Sequence, residues 1–299
     1  MPELPEIETV RSDLSDRLLN YQIVKVDILA PKMVKPSVSF LEKKLIGQRI
    51  IALNRRGKLL IATLSGQRYY LLVHLKMTGQ LIYQDKLRQI AGGHSLLNKT
   101  ITKDQTLKNF VGGNLPNKYT RAIIKFRGGG QLFFNDLRCF GYLRLVSEEE
   151  LATIVKNNYG PEPLTKEFTA AVFKKIIKRH LKNIKATLLD QKVIAGLGNI
   201  YVDEVLWAAK INPHRPANSL KTSEIMALWR AIRTILKKAI KYRGTTFSDY
   251  VDSFGRRGGF AKFLKVYGRA HQACFNCGGQ ITKLKLAGRG THYCPHCQV

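Results

Sequence analysis

Met1-Pro2-Glu3-Leu4-Pro5-Glu6 opens the chain, and the rest is organised around it. Removal of Met1, which a small second residue favours, leaves Pro2 with a free secondary amine beside the Glu3 carboxylate. An N-terminal amine titrates near pKa ~8, well below lysine, so more of it is an uncharged nucleophile at neutral pH. Pro5 suits a first helical position, and Ile7, Val10, Leu14 and Leu18 follow at helical spacing. Glu6 and Glu8 fall in the first turn, where carboxylates complement the helix dipole. The positive helix end disfavours the protonated amine. Taken alone, the stretch reads as an ordinary amphipathic helix start, and the remaining residues reverse that reading.

The chain has 299 residues, enough for two domains with cores of their own. Hydrophobic content of 44% with 24% charged residues describes a globular chain rather than a disordered one. No apolar run reaches the ~18 residues of a membrane span. No N-terminal apolar segment resembles a signal peptide, and a cytoplasmic location is expected. Lys and Arg total 50 against 21 Asp and Glu, a net charge of +29, which predicts a polyanionic partner, most simply nucleic acid. An anionic membrane surface is the rival, but no strongly amphipathic basic helix stands outside a domain pattern.

Residues 1–19 read as a helix. Short β-branched or alternating runs follow at 23–28, 49–53, 59–64, 69–75, 81–83, 122–126, 132–134 and 142–146. Gly128-Gly129-Gly130 reads as a hairpin turn between two of them. Such spacing suggests an antiparallel sandwich or barrel. Residues 86–117 are polar and weakly patterned and read as a long loop or insertion. Ser147-Glu148-Glu149-Glu150 looks like a cap and first turn. The breaker cluster Gly160-Pro161-Glu162-Pro163 then marks a linker. Helices are expected near 167–181, 185–191, 199–209 and 222–242. Eight Lys/Arg lie between positions 166 and 192 against Glu167 and Asp190, and after Asp252 eight Lys/Arg remain with no acidic residue.

Four of the five cysteines lie in the last 26 residues, which argues for metal rather than a disulfide framework. Cys274-x2-Cys277 and Cys294-x2-Cys297, sixteen residues apart, can close a tetrahedron around one structural zinc, with no place for a catalytic water. His292 and His296 are read as surface or phosphate-facing rather than as ligands. Lys283, Lys285 and Arg289 make this module a basic hairpin aimed at phosphates. Cys139 reads as a small core residue. In Ile194-Ala195-Gly196-Leu197-Gly198-Asn199-Ile200-Tyr201, two glycines precede a helix whose open amides can cradle a phosphate. Alone, that pattern is equally helix punctuation.

With these residues assembled, the chain resembles the formamidopyrimidine-DNA glycosylase family over nearly its whole length. Pro2-Glu3-Leu4-Pro5-Glu6 is similar to the family's N-terminus, and Leu4 suits it better than the glycine common in the related endonuclease VIII branch. His74-Leu75-Lys76-Met77-Thr78-Gly79 matches H-L-x-M-[ST]-G, and Asp136-Leu137-Arg138-Cys139-Phe140-Gly141 matches D-x-R-x-F-G. Gly196 to Tyr201 matches the helix–two-turn–helix element, and the four cysteines match the zinc finger. The resemblance implies an α+β multidomain fold. Its parts are an N-terminal antiparallel β-sandwich with flanking helices (1–147), a linker (148–165), a helix–two-turn–helix domain (166–268) and a zinc finger (269–299).

It also implies a bifunctional glycosylase and AP lyase acting on oxidised purines in double-stranded DNA as a monomer. The target nucleotide has to be flipped out for its sugar carbon to be reached. Pro2 would attack C1′, and Glu3 would supply a proton to the sugar oxygen or the leaving base. Lys58 would contact phosphate and move a proton during elimination, and Arg289 would assist at the phosphate beside the lesion. Met77, Arg138 and Phe140 would fill the hole in the duplex, where apolar wedges offset an unstacking cost of a few kcal/mol. Taken singly, Met77 and Phe140 are equally core residues. His74, Lys185 and Asn199 would hold phosphates, and 252–260 would be a lesion-capping loop.

Three departures stand out. Tyr119 stands where relatives usually place a DNA-contacting histidine, Leu137 and Cys139 occupy positions often held by Pro and Arg, and 86–117 is long. The alternatives are endonuclease VIII-like activity on oxidised pyrimidines, a non-catalytic zinc DNA-binding protein, and an RNA-binding zinc ribbon. The last has no aromatic stacking motif behind it.

Overall fold

The computed structural model describes residues 2–87, 89–94, 110–246, 250–251 and 258–299. It forms two compact units, Met1–Val155 with Tyr242–Gly259, and Lys156–Lys241 with Phe260–Val299.

In the first unit the order is α1 (Leu4–Leu18), β1 (Ile23–Ile28), β2 (Val34–Lys35), α2 (Val38–Leu45), β3 (Ile50–Arg56), β4 (Leu59–Leu64), β5 (Tyr69–His74), β6 (Gly79–Gln84), β7 (Gln89–His94), β8 (Thr120–Phe126), β9 (Gln131–Asp136) and β10 (Tyr142–Ser147), and α3 (Glu148–Asn158) begins in it and runs into the second. Six strands pair in the order β1-β8-β9-β6-β7-β11, where β11 is Tyr250–Val251, and five in the order β2-β10-β5-β4-β3. Only the β2–β10 pairing is parallel among the described strands. Period-2 alternation builds the core. Leu132 and Phe134 of β9 face the interior with Leu81, Tyr83, Ala122, Ile124 and Phe126 and with Leu60, Ala62, Leu71, Val73 and Leu145 of the other sheet. The α1 side chains Ile7, Val10, Leu14 and Leu18 join that core, as their spacing requires.

The opposite face of the six-stranded sheet is also buried. Ile82, Ala91, Ile123 and Phe133 pack under Val111 and Leu115. This corrects the reading of 86–117 as a loop, because residues 89–94 form a strand paired with β6 and residues 110–115 lie over the sheet. Gly93, at φ +131, is placed where a Cβ would fall 2.5 Å from the Gly79 carbonyl oxygen, so glycine here permits strand approach. Residues 95–109 lie outside the described part.

The second unit contains α4 (Ala170–Ile177), α5 (Ile184–Leu189), α6 (Asn199–Ala208), α7 (Thr222–Lys241) and the hairpin β12 (Thr282–Leu286)–β13 (Arg289–Tyr293). Ile225, Leu228, Ile232, Leu236 and Ala239 give α7 one buried stripe at i+3/i+4 spacing. The β12–β13 turn, with Ala287 at φ 51 and Gly288 at φ 72, is the two-residue positive-φ type that matches strand twist. No helix among the described residues is long and apolar enough to cross a membrane.

Candidate active site

The first six residues fold as a reciprocal cap. Glu3 is the N-cap of α1, its N–H donates to Glu6 Oε2 at 2.8 Å, and its own carboxylate takes the Glu6 N–H. This is a capping box with glutamate in place of serine. Pro2 is buried and Glu3 is 3% exposed. The second Glu6 oxygen accepts Thr245 N–H at 2.7 Å. Glu6 thereby fixes the backbone that carries Pro2 and Glu3, a role the sequence reading did not give it, although its N3 position is the signal that finds it.

Lys58 lies in the β3–β4 turn after Gly57, which has φ 56, and is 5% exposed. The turn is tied to α1. Arg55 Nε donates to Glu8 Oε2 at 2.8 Å, and Arg55 Nη1 donates to the Gly57 carbonyl at 3.1 Å. Arg11 donates to Glu8 and to the Leu53 carbonyl at 3.2 Å, so the helix carrying the terminus and the strand leading to Lys58 are held together. Burial pushes the Glu8 carboxyl up, but the Arg11 and Arg55 guanidiniums together hold it below its usual range.

His74 ends β5. Burial, with the charges of Lys76 and Lys58, pushes its imidazole down to about 3, so it is neutral at physiological pH. Its Nδ1 accepts Lys76 N–H at 3.0 Å, which puts the ring proton on Nε2 as a donor. Three residues on, Met77 is 38% exposed, and Phe140 on the loop after β9 is 52% exposed. Arg138 joins them, with Nη1 3.4 Å from Met77 Sδ and its guanidinium 4.4 Å from the Phe140 ring centroid. The three side chains expected to act together are therefore in contact and outside the core. Tyr119 is half-buried beneath Lys118, whose ammonium lies 5.2 Å from its ring centroid.

In the second unit, Gln191 braces the glycine turn, with Nε2 donating to the Leu197 carbonyl and Oε1 accepting Gly196 N–H, each at 2.8 Å. Asn199 opens α6 and donates from Nδ2 to the Gly290 carbonyl at 2.9 Å. Arg289, next to that glycine, is exposed at the hairpin tip. Lys185 has a side-chain exposure of 0%. Its ammonium donates to Asp203 Oδ1 at 2.6 Å and to the Gly290 carbonyl at 3.1 Å. Asp203 Oδ2 takes His292 N–H at 2.8 Å. This is not the geometry of the phosphate contact expected from the sequence, because the ammonium is enclosed by protein groups that hold the hairpin. Glu204 has the same kind of role. Burial pushes its carboxyl up, against hydrogen bonds from the Lys265, Val266 and Tyr267 amides that it collects at 2.8–3.0 Å.

The four cysteine sulfurs lie within 4.8 Å of one another. Cys277–Cys294 and Cys274–Cys297 are 3.5 and 3.8 Å apart. A Zn–S bond of about 2.3 Å gives a tetrahedral edge of about 3.8 Å, so these donors fit zinc. Amides of Asn276 and Cys297 point at Cys274 and Cys294 sulfurs at 3.5 and 3.4 Å, as suits thiolates. With four cysteines filling the tetrahedron, such a zinc is structural. Residues 252–257 of the expected capping loop lie outside the described part.

A β-sandwich opening on a buried Pro-Glu terminus, a glycine-turn helical unit and a four-cysteine ribbon together define a helix–two-turn–helix zinc protein. Models of the formamidopyrimidine-DNA glycosylase N-terminal domain, the formamidopyrimidine-DNA glycosylase H2TH domain and the zinc finger found in FPG and IleRS match residues 1–143, 159–251 and 272–299. Formamidopyrimidine-DNA glycosylase of Carboxydothermus hydrogenoformans is 41% identical over 299 residues, covering 100% of both chains. That of Streptococcus mutans is 38% identical, covering 100% of this chain and 99% of the relative. The Lactococcus lactis enzyme, crystallised in variant form with DNA containing Fapy-dG, superposes with a TM-score of 0.84 at 38% identity and covers 99% of each chain. Its complex with DNA containing an abasic site gives 0.82 at the same identity and coverage. The chain belongs to the formamidopyrimidine-DNA glycosylase family.

Proposed function

We propose that the protein is a bifunctional DNA glycosylase and AP lyase that removes oxidised purines, 8-oxoguanine and formamidopyrimidines, from double-stranded DNA. The observation that carries this is the buried Pro2-Glu3 terminus on a capped helix, an imino nucleophile set beside a carboxyl group. The charge of +29 supports a DNA partner, and relatives crystallised on Fapy-dG and abasic DNA support the substrate class.

Once Met1 is gone and the nucleotide is extruded, the Pro2 nitrogen lone pair forms a bond to C1′. The C1′–N9 bond breaks, its electron pair leaves with the base, and the base takes up the proton that the Pro2 nitrogen gives up. Opening of the C1′–O4′ bond, with Glu3 supplying a proton to O4′, gives an iminium. The iminium acidifies C2′–H. Loss of that proton expels the 3′ phosphate, a second elimination expels the 5′ phosphate, and hydrolysis frees Pro2. Lys58 contacts a phosphate and moves a proton during elimination, and neutral His74 offers Nε2–H to a phosphate. Asn199, Tyr119 and Arg289 serve the backbone, while Met77, Arg138 and Phe140 fill the vacated stack. Zinc holds the ribbon that carries Arg289. A monomer in the cytoplasm, associated with the nucleoid, fits this work.

Borohydride trapping tests the reading. Wild type should yield a covalent adduct on 8-oxoguanine duplex in preference to thymine glycol duplex, and Pro2→Gly should abolish it. Undiminished trapping by Pro2→Gly, or a preference for thymine glycol, overturns it.

A further inference from the structure

Met77, Arg138 and Phe140 are exposed and touch one another only through a 3.4 Å N–H···S contact and a guanidinium stack, so their side chains do little to fix their own places. One residue bonds to both loops that carry them, through the Thr78 hydroxyl on one and the Arg138 and Gly141 amides on the other. Asp136 ends β9 opposite Gly79 and is fully buried. Its Oδ1 accepts the Thr78 hydroxyl and the Arg138 N–H, the latter at 3.0 Å, and its Oδ2 accepts Gly141 N–H at 2.7 Å. Its main-chain N–H donates to the Tyr119 carbonyl at 2.9 Å, and its carbonyl accepts Arg121 Nε at 2.8 Å. Arg138 N–H also meets Thr78 Oγ1 at 3.1 Å.

We infer that Asp136 is the positioning residue that assembles the duplex-filling side chains, joining the 75–79 and 136–141 loops and the Tyr119 backbone through one buried carboxylate. The inference rests on the glycosylase reading above. Three donors on two oxygens, with no exposed surface, leave the carboxylate no face for a sugar or a base, so Asp136 acts only through its neighbours. The loop is closely built around it. A Cβ on Gly141 would fall 3.0 Å from Asp136 Oδ2, 2.8 Å from the His74 carbonyl oxygen and 2.7 Å from the Phe134 ring. Cys139, at φ 54, reverses the chain between Arg138 and Phe140. An extruded base leaves one void, and the fillers have to enter it as a set, so misplacement of either loop disables all three. Displacements on the order of 1 Å cost about 10²-fold in rate when geometry is critical.

Asp136→Asn is nearly isosteric but turns one acceptor into a donor facing a donor. Thr78→Val removes the hydroxyl at constant shape, and Thr78→Ser restores it. The substrates are an 8-oxoguanine duplex, which has a void to fill, and a single-stranded abasic oligonucleotide, which has none. Asp136→Asn and Thr78→Val should each lower duplex excision by about 10²-fold and delay the 2-aminopurine signal of unstacking beside the lesion. Borohydride trapping on the single strand should stay within about twofold of wild type, and Thr78→Ser should recover duplex excision. Equal losses on both substrates, or duplex excision at the wild-type rate, overturn the role. The Thr78 pair decides the matter if Asp136→Asn does not fold. A wild-type protein that forms no adduct on either substrate overturns the functional reading and the positioning role with it.

Discussion

Lys185→Met separates two uses of a lysine that sequence alone treats alike. The substitution keeps the apolar stem and removes the ammonium, leaving Asp203 buried with His292 N–H as a remaining partner. Removing one member of a buried pair costs about 3–5 kcal/mol. The retained His292 bond, and the Asn199 bond that still serves the Gly290 carbonyl, place this case near the lower limit, about 3 kcal/mol. With a urea slope of ~2 kcal/mol/M, the midpoint falls by ~1.5 M. Tryptophan fluorescence reads the affected unit selectively, because the only two tryptophans, Trp207 and Trp229, both lie in it. Zinc is kept saturating throughout. The double variant Lys185→Met/Asp203→Leu should recover part of the loss, since an apolar pair does not strand a charge. A midpoint within ~0.3 M of wild type, with the slope of log binding constant against log salt reduced by about 0.9, would refute the reasoning and return Lys185 to a phosphate.

The His74 imidazole, held at about 3 when folded, takes its proton near 6.5 when the chain unfolds. Its contribution is therefore complete above pH 6.5 and is lost as pH falls towards 3, at most ~2 kcal/mol between pH 7 and 5 and less for its partial exposure. His74→Asn should flatten the pH dependence of the unfolding midpoint by that amount, and parallel curves for the two proteins would contradict it. Glu8→Gln should cost less than ~1 kcal/mol of stability, because the Glu8–Arg55 pair is partly exposed. It should still slow single-turnover trapping several-fold by loosening the Lys58 turn, and an unchanged rate would remove Glu8 from the account. Chelation of zinc should shift Trp207 emission to the red and weaken duplex binding, since Trp207 packs against the small cluster of Val266, Cys274, Ile281 and Cys294 that holds the ribbon. Full incision by metal-free protein, verified by elemental analysis, would contradict that.

Much of this was legible in the chain. Apolar runs at 59–64, 122–126 and 132–134 reported strands because these strands are buried on both faces, and the cysteine spacing reported zinc because tetrahedral closure needs paired donors. Other features have no one-dimensional signal. Gln89–His94 was missed because Gly92 and Gly93 break the pattern, and Gly93 is needed there only because a neighbouring backbone lies against it. Helix α2 was missed because it is eight residues long, although Ser37 caps it through Phe40 N–H. Lys185 looked like one basic residue among eight, and its burial follows from Asp203 and Gly290, which are 18 and 105 positions away. Asp136 was visible as a motif letter, but its work depends on Thr78, 58 positions earlier.

The most direct test of the covalent chemistry is peptide mapping by mass spectrometry of the borohydride-reduced adduct with 8-oxoguanine duplex. The account requires the reduced deoxyribose fragment on the amino-terminal peptide, at the Pro2 nitrogen, with Met1 absent. A fragment carried by Lys58 or any other lysine, or an adduct on chains that retain Met1, would contradict it.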